Sequence, residues 1–151
     1  MDLSTILVVG TIAGLIYWIS QQNASAATTG QDFIIPTPAT GGGLVNAMAQ
    51  AIAQEEGWNV PGSIAQRNNN PGNVGGPTAT FSTADDGWTA LENQINLMFG
   101  GSQYYNSGMS LAQVGDIYSN GDPNWAVNVA SILGVSTSTT LNDLLNIYGG
   151  L

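Results

Sequence analysis

Apolar side chains begin to repeat with a helical period at Leu44, after a long run of small residues. Positions three and four apart lie on one face of a helix, so this repeat predicts a helix with one buried face. Gly57 follows the repeat, and glycine is common just past the end of a helix. The first predicted helix therefore ends next to Gly57, and its buried face consists of Leu44, Val45, Met48 and Ile52.

Four further helices are predicted, and each follows a turn or capping signal. The signals for the first three are Ser/Thr/Asp-rich residues 82–86, Ser110, and Asp122 as an N-cap with Pro123 in the first turn. Gly100-Gly101 ends the first of these three helices and Gly134 ends the third. Each of these helices has a set of positions predicted to face inward. In the first they are Trp88, Leu91, Ile95 and Met98, in the second Leu111, Val114 and Ile117, and in the third Ala126, Val129, Ala130 and Leu133. The last helix is predicted from Leu141 to Tyr148.

Residues 68–81, between the first two predicted helices, are rich in turn-forming Asn, Gly and Pro. This stretch has room for one short hairpin at most. Residues 44–151 are therefore predicted to form a small, mainly α domain with a single core.

The first 20 residues are almost wholly apolar or small, with Tyr17 and Trp18 near their end. A stretch of about 17 apolar residues is near the lower limit for a membrane-spanning helix, and aromatic residues favour the interface. Residues 1–20 are therefore predicted to be a retained transmembrane anchor. The alternative is a signal peptide cleaved after residues 24–26, which would release a soluble secreted protein. Asp2 and the lack of basic residues at the N-terminus favour the anchor.

Residues 21–43 are rich in Ala, Thr, Gly and Pro and are predicted to be a linker. As a loose coil, such a segment spans on the order of 25 Å. The sequence therefore predicts a single-pass membrane protein whose domain, residues 44–151, lies outside the bilayer and within reach of it.

The composition restricts the chemistry that the chain can perform. The 151 residues carry a formal net charge of −9 and include no Cys and no His. Disulfides, zinc sites, cysteine nucleophiles and histidine bases are excluded, and no metal or cofactor is expected. One Arg and no Lys cannot neutralise a phosphate backbone, so nucleic-acid binding is not expected. Carboxylates, hydroxyls, phenols and amides remain as functional groups.

Two adjacent carboxylates, Glu55 and Glu56, stand at the end of the first predicted helix, and Trp58 follows them. The helix dipole, the neighbouring like charge and the apolar ring all act to raise their pKa values. A carboxylic acid that stays protonated near neutral pH suits general acid catalysis of glycosidic cleavage. The alternative is a solvated pair at a helix end. Helical phase places Glu55 nearer to the apolar stripe than Glu56.

The surrounding sequence resembles a known family. It reads Ala-Ile-Ala-Gln-Glu-Glu-Gly-Trp over residues 51–58, Pro-Gly at 61–62, and Arg-Asn-Asn-Asn-Pro-Gly-Asn over residues 67–73. This series resembles the lysozyme-like lytic transglycosylase domain found in many bacteriophage virion and lysis proteins. Shorter likenesses follow within residues 81–91 and 110–135, so the resemblance covers most of the predicted domain.

The resemblance implies an α+β lysozyme-like fold and a peptidoglycan substrate. The family's catalytic acid directly precedes a Gly-aromatic pair, which corresponds to Glu56. By this resemblance, Glu56 protonates the oxygen that links N-acetylmuramic acid to N-acetylglucosamine. Its carboxylate then deprotonates the muramyl C6 hydroxyl, and a 1,6-anhydro ring closes. Asp85 and Asp86 are possible second carboxylates, as a hydrolysing muramidase requires, although helix capping also explains both.

Six further residues are predicted to bind substrate or support the site: Glu55, Arg67, Asn70, Asn73, Tyr118 and Trp125. Glu55 is the electrostatic neighbour of the acid. Arg67 either donates to carbonyls of the Asn-rich turn or pairs with a glutamate or a substrate carboxylate. Asn70 and Asn73 offer amide donors to N-acetyl groups, or build the turn. Aromatic candidates for sugar stacking are Trp125, Tyr118, Tyr104 and Tyr105, whereas Trp88 is expected in the core.

The resemblance and the anchor together predict a membrane-anchored, peptidoglycan-cleaving enzyme of a phage virion, acting in host entry, or of a lysis system. Its expected partners are glycan strands, the membrane, and other virion membrane or capsid proteins. The alternative is a virion or envelope structural protein that retains the fold without catalysis. The low charge of the chain favours this alternative, because a packed assembly tolerates few charges.

Overall fold

The computed structural model describes residues 43–151. The predicted anchor, residues 1–20, and all of the predicted linker except Gly43 lie outside this range. None of the helices within the described range has the length and apolar character needed to cross a membrane.

Within residues 43–151 the chain forms six helices and no strand; a lone antiparallel bridge pairs Ser110 with Thr140. The helices are α1 (Leu44–Glu55), α2 (Ile64–Arg67), α3 (Ala84–Gly100), α4 (Leu111–Tyr118), α5 (Trp125–Leu133) and α6 (Leu141–Tyr148). The prediction of a small, mainly helical domain is confirmed. The hairpin that residues 68–81 had room for is replaced by a series of turns.

Helix α1 lies at the centre of the core. Its stripe residues Leu44, Met48 and Ile52 are fully buried, as predicted, and Val45 is half-buried. Every later helix except α2 contributes side chains to the core around them. These side chains include Leu91, Ile95, Met98, Leu111, Val114, Val129, Leu141 and Leu144. The N-terminal end of α1 adjoins the last residue of the chain, because a Cβ on Gly43 would lie 3.2 Å from the main-chain carbon of Leu151.

The C-terminal end of α1 is closed by a Schellman motif. Gly57 has a φ of 80°, in the left-handed region that glycine enters without strain. The Trp58 N–H donates to Ala53 O at 2.8 Å, and the Gly57 N–H donates to Gln54 O at 3.1 Å, which are the two bonds of that motif. The sharp turn leaves Glu56 as the C-cap residue, directly after the last helical residue Glu55, where the chain changes direction.

Three helices begin with complete capping boxes. The N-cap side chain accepts from the third residue of the helix, whose side chain accepts in return from the N-cap backbone. These pairs are Thr83–Asp86, Ser110–Gln113 and Thr140–Asp143. The predicted starts of these three helices are confirmed, as is the end of α5 at Gly134, which has a φ of 70°.

Four local predictions need correction. Helix α5 begins at Trp125 with Asn124 as its N-cap, so Asp122 lies in a preceding turn and its carboxylate accepts the Asn124 N–H at 2.9 Å. Ile117 is predicted to face inward but is 41% exposed, because the buried face of α4 passes through Leu111, Val114, Gly115 and Tyr118. Trp88 is only half-buried and packs edge-on against Trp58. The four-residue helix α2 was not predicted, since it is too short to show a period.

Residues 68–81, here called the Asn-rich loop, are held by hydrogen bonds from the fully buried side chain of Asn70. Asn70 donates to Val74 O at 3.0 Å and to Ala79 O at 3.1 Å, and its own oxygen accepts the Val74 N–H at 2.9 Å. The loop also packs directly on α3, where a Cβ on Gly87 would lie 1.9 Å from Asn69 O. Only a glycine permits this approach.

We therefore predict that Gly87→Ala destabilises the protein by about 2 kcal/mol or more, because the added methyl group meets main-chain atoms of the loop that cannot move independently. Gly100→Ala, at the other end of α3, is the matched control because a Cβ there meets nothing within 4 Å. It should be neutral or stabilising by up to about 1 kcal/mol, since alanine favours a helix over glycine. Urea unfolding followed by circular dichroism measures both. Equal effects of the two substitutions would contradict the proposed close approach.

Candidate active site

The carboxyl group of Glu56 connects three segments of the fold. Its Oε2 accepts a hydrogen bond from Asn73 Nδ2 at 2.6 Å, and its Oε1 accepts from the indole Nε1 of Trp125 at 3.2 Å. Asn73 belongs to the Asn-rich loop and Trp125 is the first residue of α5. The side chain of Glu56 is half-buried. It is thus fixed in orientation while part of its surface remains open to solvent.

Burial is the main cause of a raised pKa at Glu56. The hydrogen bonds from Asn73 and Trp125 stabilise the charged form and oppose the rise, while the negative charge of Asp122 adds to it. The direction of the shift is the one expected from the sequence, but the like charge that contributes to it is that of Asp122. Such a group holds its proton to higher pH than a solvated glutamate does.

Glu55 lies on the buried side of the same turn and is only 7% exposed. Burial raises its pKa from 4.5 to about 8. The side-chain amide of Asn128 opposes this rise, and the charges of Glu56 and Asp122 reinforce it. Glu55 is therefore a neutral acid at neutral pH, packed behind Glu56, as the phase of the apolar stripe indicated.

Trp125 is a buried support for Glu56 and has no free face for a sugar. Its side chain is 1% exposed, which corrects the prediction that it stacks on substrate. Gly115 allows α4 to approach it closely, because a Cβ there would lie 2.9 Å from the Trp125 ring. Tyr105 is likewise buried at 6%, so of the predicted stacking residues Tyr104, at 62%, is the one with an open ring.

Tyr118 connects α4 to the Asn-rich loop. Its ring packs against Trp125 with centroids 5.0 Å apart, and its hydroxyl donates to Gly72 O at 2.6 Å. Burial, with the nearby charge of Glu56, raises the pKa of Tyr118 well above its usual value, so the phenol stays neutral. In this structure Tyr118 supports the walls of the site and is itself partly buried.

The other predicted site residues serve the scaffold. Arg67 is exposed and its guanidinium donates to Gly62 O. It therefore stabilises the turn that precedes α2 and not the Asn-rich loop that follows α2. The side-chain amide of Asn70 makes its hydrogen bonds within the loop, with both its nitrogen and its oxygen. Asp85 and Asp86 are exposed, and the Asp86 carboxylate accepts the Thr83 N–H at 3.1 Å, so capping accounts for it.

Asp122 is the site residue that sequence reasoning assigned to a different role. Its charge acts on both glutamates, and its backbone carbonyl accepts the N–H of Trp125 at 3.3 Å. The same Asp-Pro pair that signalled a helix start also brings a carboxylate to Glu56, which a local pattern cannot show. Within residues 43–151 no group of three acidic side chains is arranged to hold a metal ion.

Comparison with known protein families, with curated proteins and with solved structures finds no match. Residues 43–151 form a small helical domain with two carboxyl groups of raised pKa at the end of its central helix. Any function assigned to it depends on the contacts above and on the motif that surrounds them.

We predict that Glu55→Gln flattens the pH dependence of stability. Because the pKa of Glu55 is raised from 4.5 to about 8 in the folded state, its contribution is fully present below about pH 4.5 and is lost as pH rises through 8. The wild type should lose stability on the order of 3–5 kcal/mol across this interval through Glu55. The Gln variant should match the wild type near pH 5 and exceed it near pH 8.5.

Urea unfolding at the two pH values measures this difference. Glu92→Gln on the exposed face of α3 is the control and should follow the wild-type curve. A wild type and a Glu55→Gln variant that lose stability in parallel would show that Glu55 is already ionised at neutral pH.

Proposed function

We propose that the protein is a peptidoglycan lytic transglycosylase in which Glu56 is the single catalytic acid and base. The observation that carries this proposal is the state of its carboxyl group, which is half-buried, raised in pKa, and held by Asn73 and Trp125. A general acid must be protonated near the operating pH and fixed toward its substrate. The raised pKa of Glu56 and its two hydrogen bonds are in the direction that this role requires. The resemblance of residues 51–73 to phage lytic transglycosylases supports the choice of substrate.

The reaction uses one carboxyl group twice. Glu56 donates its proton to the oxygen between N-acetylmuramic acid and N-acetylglucosamine, and the bond from C1 to that oxygen breaks. The resulting carboxylate accepts the proton of the muramyl C6 hydroxyl, whose oxygen bonds to C1 and closes the 1,6-anhydro ring. No water is consumed. Glu55 takes no direct part, because a buried neutral acid is neither a good nucleophile nor a base.

Asp122 favours a second reaction type at the same site, namely hydrolysis by a muramidase. Hydrolysis of a glycosidic bond normally uses two carboxyl groups. Asp122 is half-buried and close enough for its charge to act on Glu56. Mass spectrometry of the products separates the two reactions, because anhydromuramyl ends are lighter by one water than reducing ends.

The proposed setting is a phage virion membrane or a bacterial envelope. It follows from the apolar residues 1–20, which we interpret as an anchor, and from residues 21–43 as a linker. A non-catalytic structural protein of the virion is the competing proposal. It is favoured by the low content of charged residues, 7%, which suits close packing in an assembly. Retention of the anchor is tested by the intact mass of the native protein.

We predict that Glu56→Gln lowers the release of soluble muropeptides from purified sacculi by at least about 100-fold, because an amide cannot donate an acidic proton. Glu92→Gln, an exposed glutamate on α3, is the matched control and should retain wild-type activity. If wild-type protein releases nothing, the structural role is favoured. If Glu56→Gln stays active, the acid is another residue.

A further inference from the structure

The contact between Asn73 and Glu56 is short for the groups that form it. Nδ2 and Oε2 are 2.6 Å apart. An N–H···O bond usually spans about 2.7–3.2 Å, whereas an O–H···O bond spans about 2.5–3.0 Å. The distance therefore fits a carboxylic acid that donates to an amide oxygen better than an amide that donates to a carboxylate.

The oxygen of the same amide lacks a donor. Asn73 Oδ1 is buried and has no hydrogen-bond partner among residues 43–151. Buried polar atoms without a partner are uncommon in folded proteins, and each one is destabilising. An amide oxygen and nitrogen exchange places when the group turns by about 180° about its last side-chain bond. Such a turn brings Oδ1 to face Glu56.

Trp125 favours one oxygen of Glu56 as the site of the proton. An indole N–H can donate but never accept, and it lies 3.2 Å from Oε1. Oε1 keeps its full acceptor capacity toward the indole when the proton lies on Oε2, the atom that faces Asn73. A proton on Oε2 that points to Asn73 is matched by the amide oxygen, whereas an ionised Oε2 is matched by the amide nitrogen.

We propose that the Asn73 amide turns over with the protonation state of Glu56. In the acid form Oδ1 accepts the Oε2 proton, and in the ionised form Nδ2 donates to the carboxylate. Asn73 is thus a positioning residue that holds Glu56 in one place in both states. The other titratable groups that act on Glu56 or feel its charge are Glu55, Asp122 and Tyr118.

This inference rests on the proposed function only where it concerns catalysis. During cleavage, Glu56 would give its Oε2 proton to the glycosidic oxygen, and the Asn73 amide would turn to donate to the resulting carboxylate until the C6 hydroxyl supplies a proton. The turning of the amide is itself a property of the resting protein. It can therefore be measured whether or not the protein cleaves peptidoglycan.

The test is an NMR titration of the full-length protein from about pH 4 to pH 10, with ¹³C in the side-chain carbonyl groups of Glu and Asn. The sequence has three glutamates, Glu55, Glu56 and Glu92, so the carboxyl signals are few and can be assigned by single Gln substitutions. We expect the Asn73 Cγ signal to move downfield as pH falls, with the midpoint of Glu56, because its oxygen begins to accept a proton. A Cγ signal that stays constant through that titration overturns the proposal.

Two variants at position 73 provide an independent measurement. Asn73 has a φ of 47°, and Asp and Gly both tolerate this left-handed conformation. Asn73→Asp offers acceptors only, so the midpoint of Glu56 should rise by about one pH unit or more. Asn73→Gly removes a bond from both states, so the midpoint should move by less than about half a unit. A rise of a full unit in the Gly variant indicates a fixed donor and overturns the proposal.

Glu56→Gln is the control, because the Asn73 signals should then lose their pH dependence. The two proposals fail separately. If no muropeptides are released but the Asn73 Cγ signal still follows the titration, the proposed enzymatic function is wrong and the turning of the amide stands. If peptidoglycan is cleaved but the Cγ signal stays constant, the enzymatic function stands and the turning of the amide is wrong.

Discussion

The hydrogen bonds to the Glu56 carboxyl group join parts of the chain that are otherwise far apart. One oxygen is bonded to Asn73 in the Asn-rich loop and the other to Trp125 at the start of α5. These contacts require the Schellman turn at Gly57, which stops α1 at the right residue. They also require the close approach of α4 permitted by Gly115. The position of one carboxyl group thus depends on the packing of nearly the whole domain.

The pKa values of Glu55 and Glu56 are determined by burial more than by neighbouring charges. Both glutamates have raised pKa values for which burial is the largest cause. Arg67, the single cation of the chain, is directed to a backbone carbonyl. Neutral partners surround Glu56 on two sides, so it can exchange a proton without the loss of an ion pair. This arrangement differs from a structural salt bridge, in which a paired charge would hold the carboxylate ionised.

Much of the helical architecture was predictable because its signals are local. Capping boxes at Thr83 and Ser110, and the left-handed glycines at helix ends, are determined by residues within one turn. Some corrections are local, such as the N-cap at Asn124, whereas the burial of side chains depends on tertiary contacts. The burial of Trp125, for example, depends on Gly115 in another helix. The role of Asp122 in the site has the same origin. A motif marks Glu56 as the predicted acid and also points to Asn73, whereas the hydrogen bonds of Asn73 and Trp125 to Glu56 could not be identified without the fold.

The contact between Gly43 and Leu151 has a consequence for how this domain can be combined with others. The point at which the chain enters α1 and its last residue meet on the surface, so residues 43–151 form a closed unit with a single junction. A unit of this kind can be placed within a surface loop of a host protein, or have its ends joined and a new opening made elsewhere, with little change to its packing. Helix α1 extends about 18 Å from that junction. Fusion there would leave the carboxyl pair at the far end of the helix undisturbed.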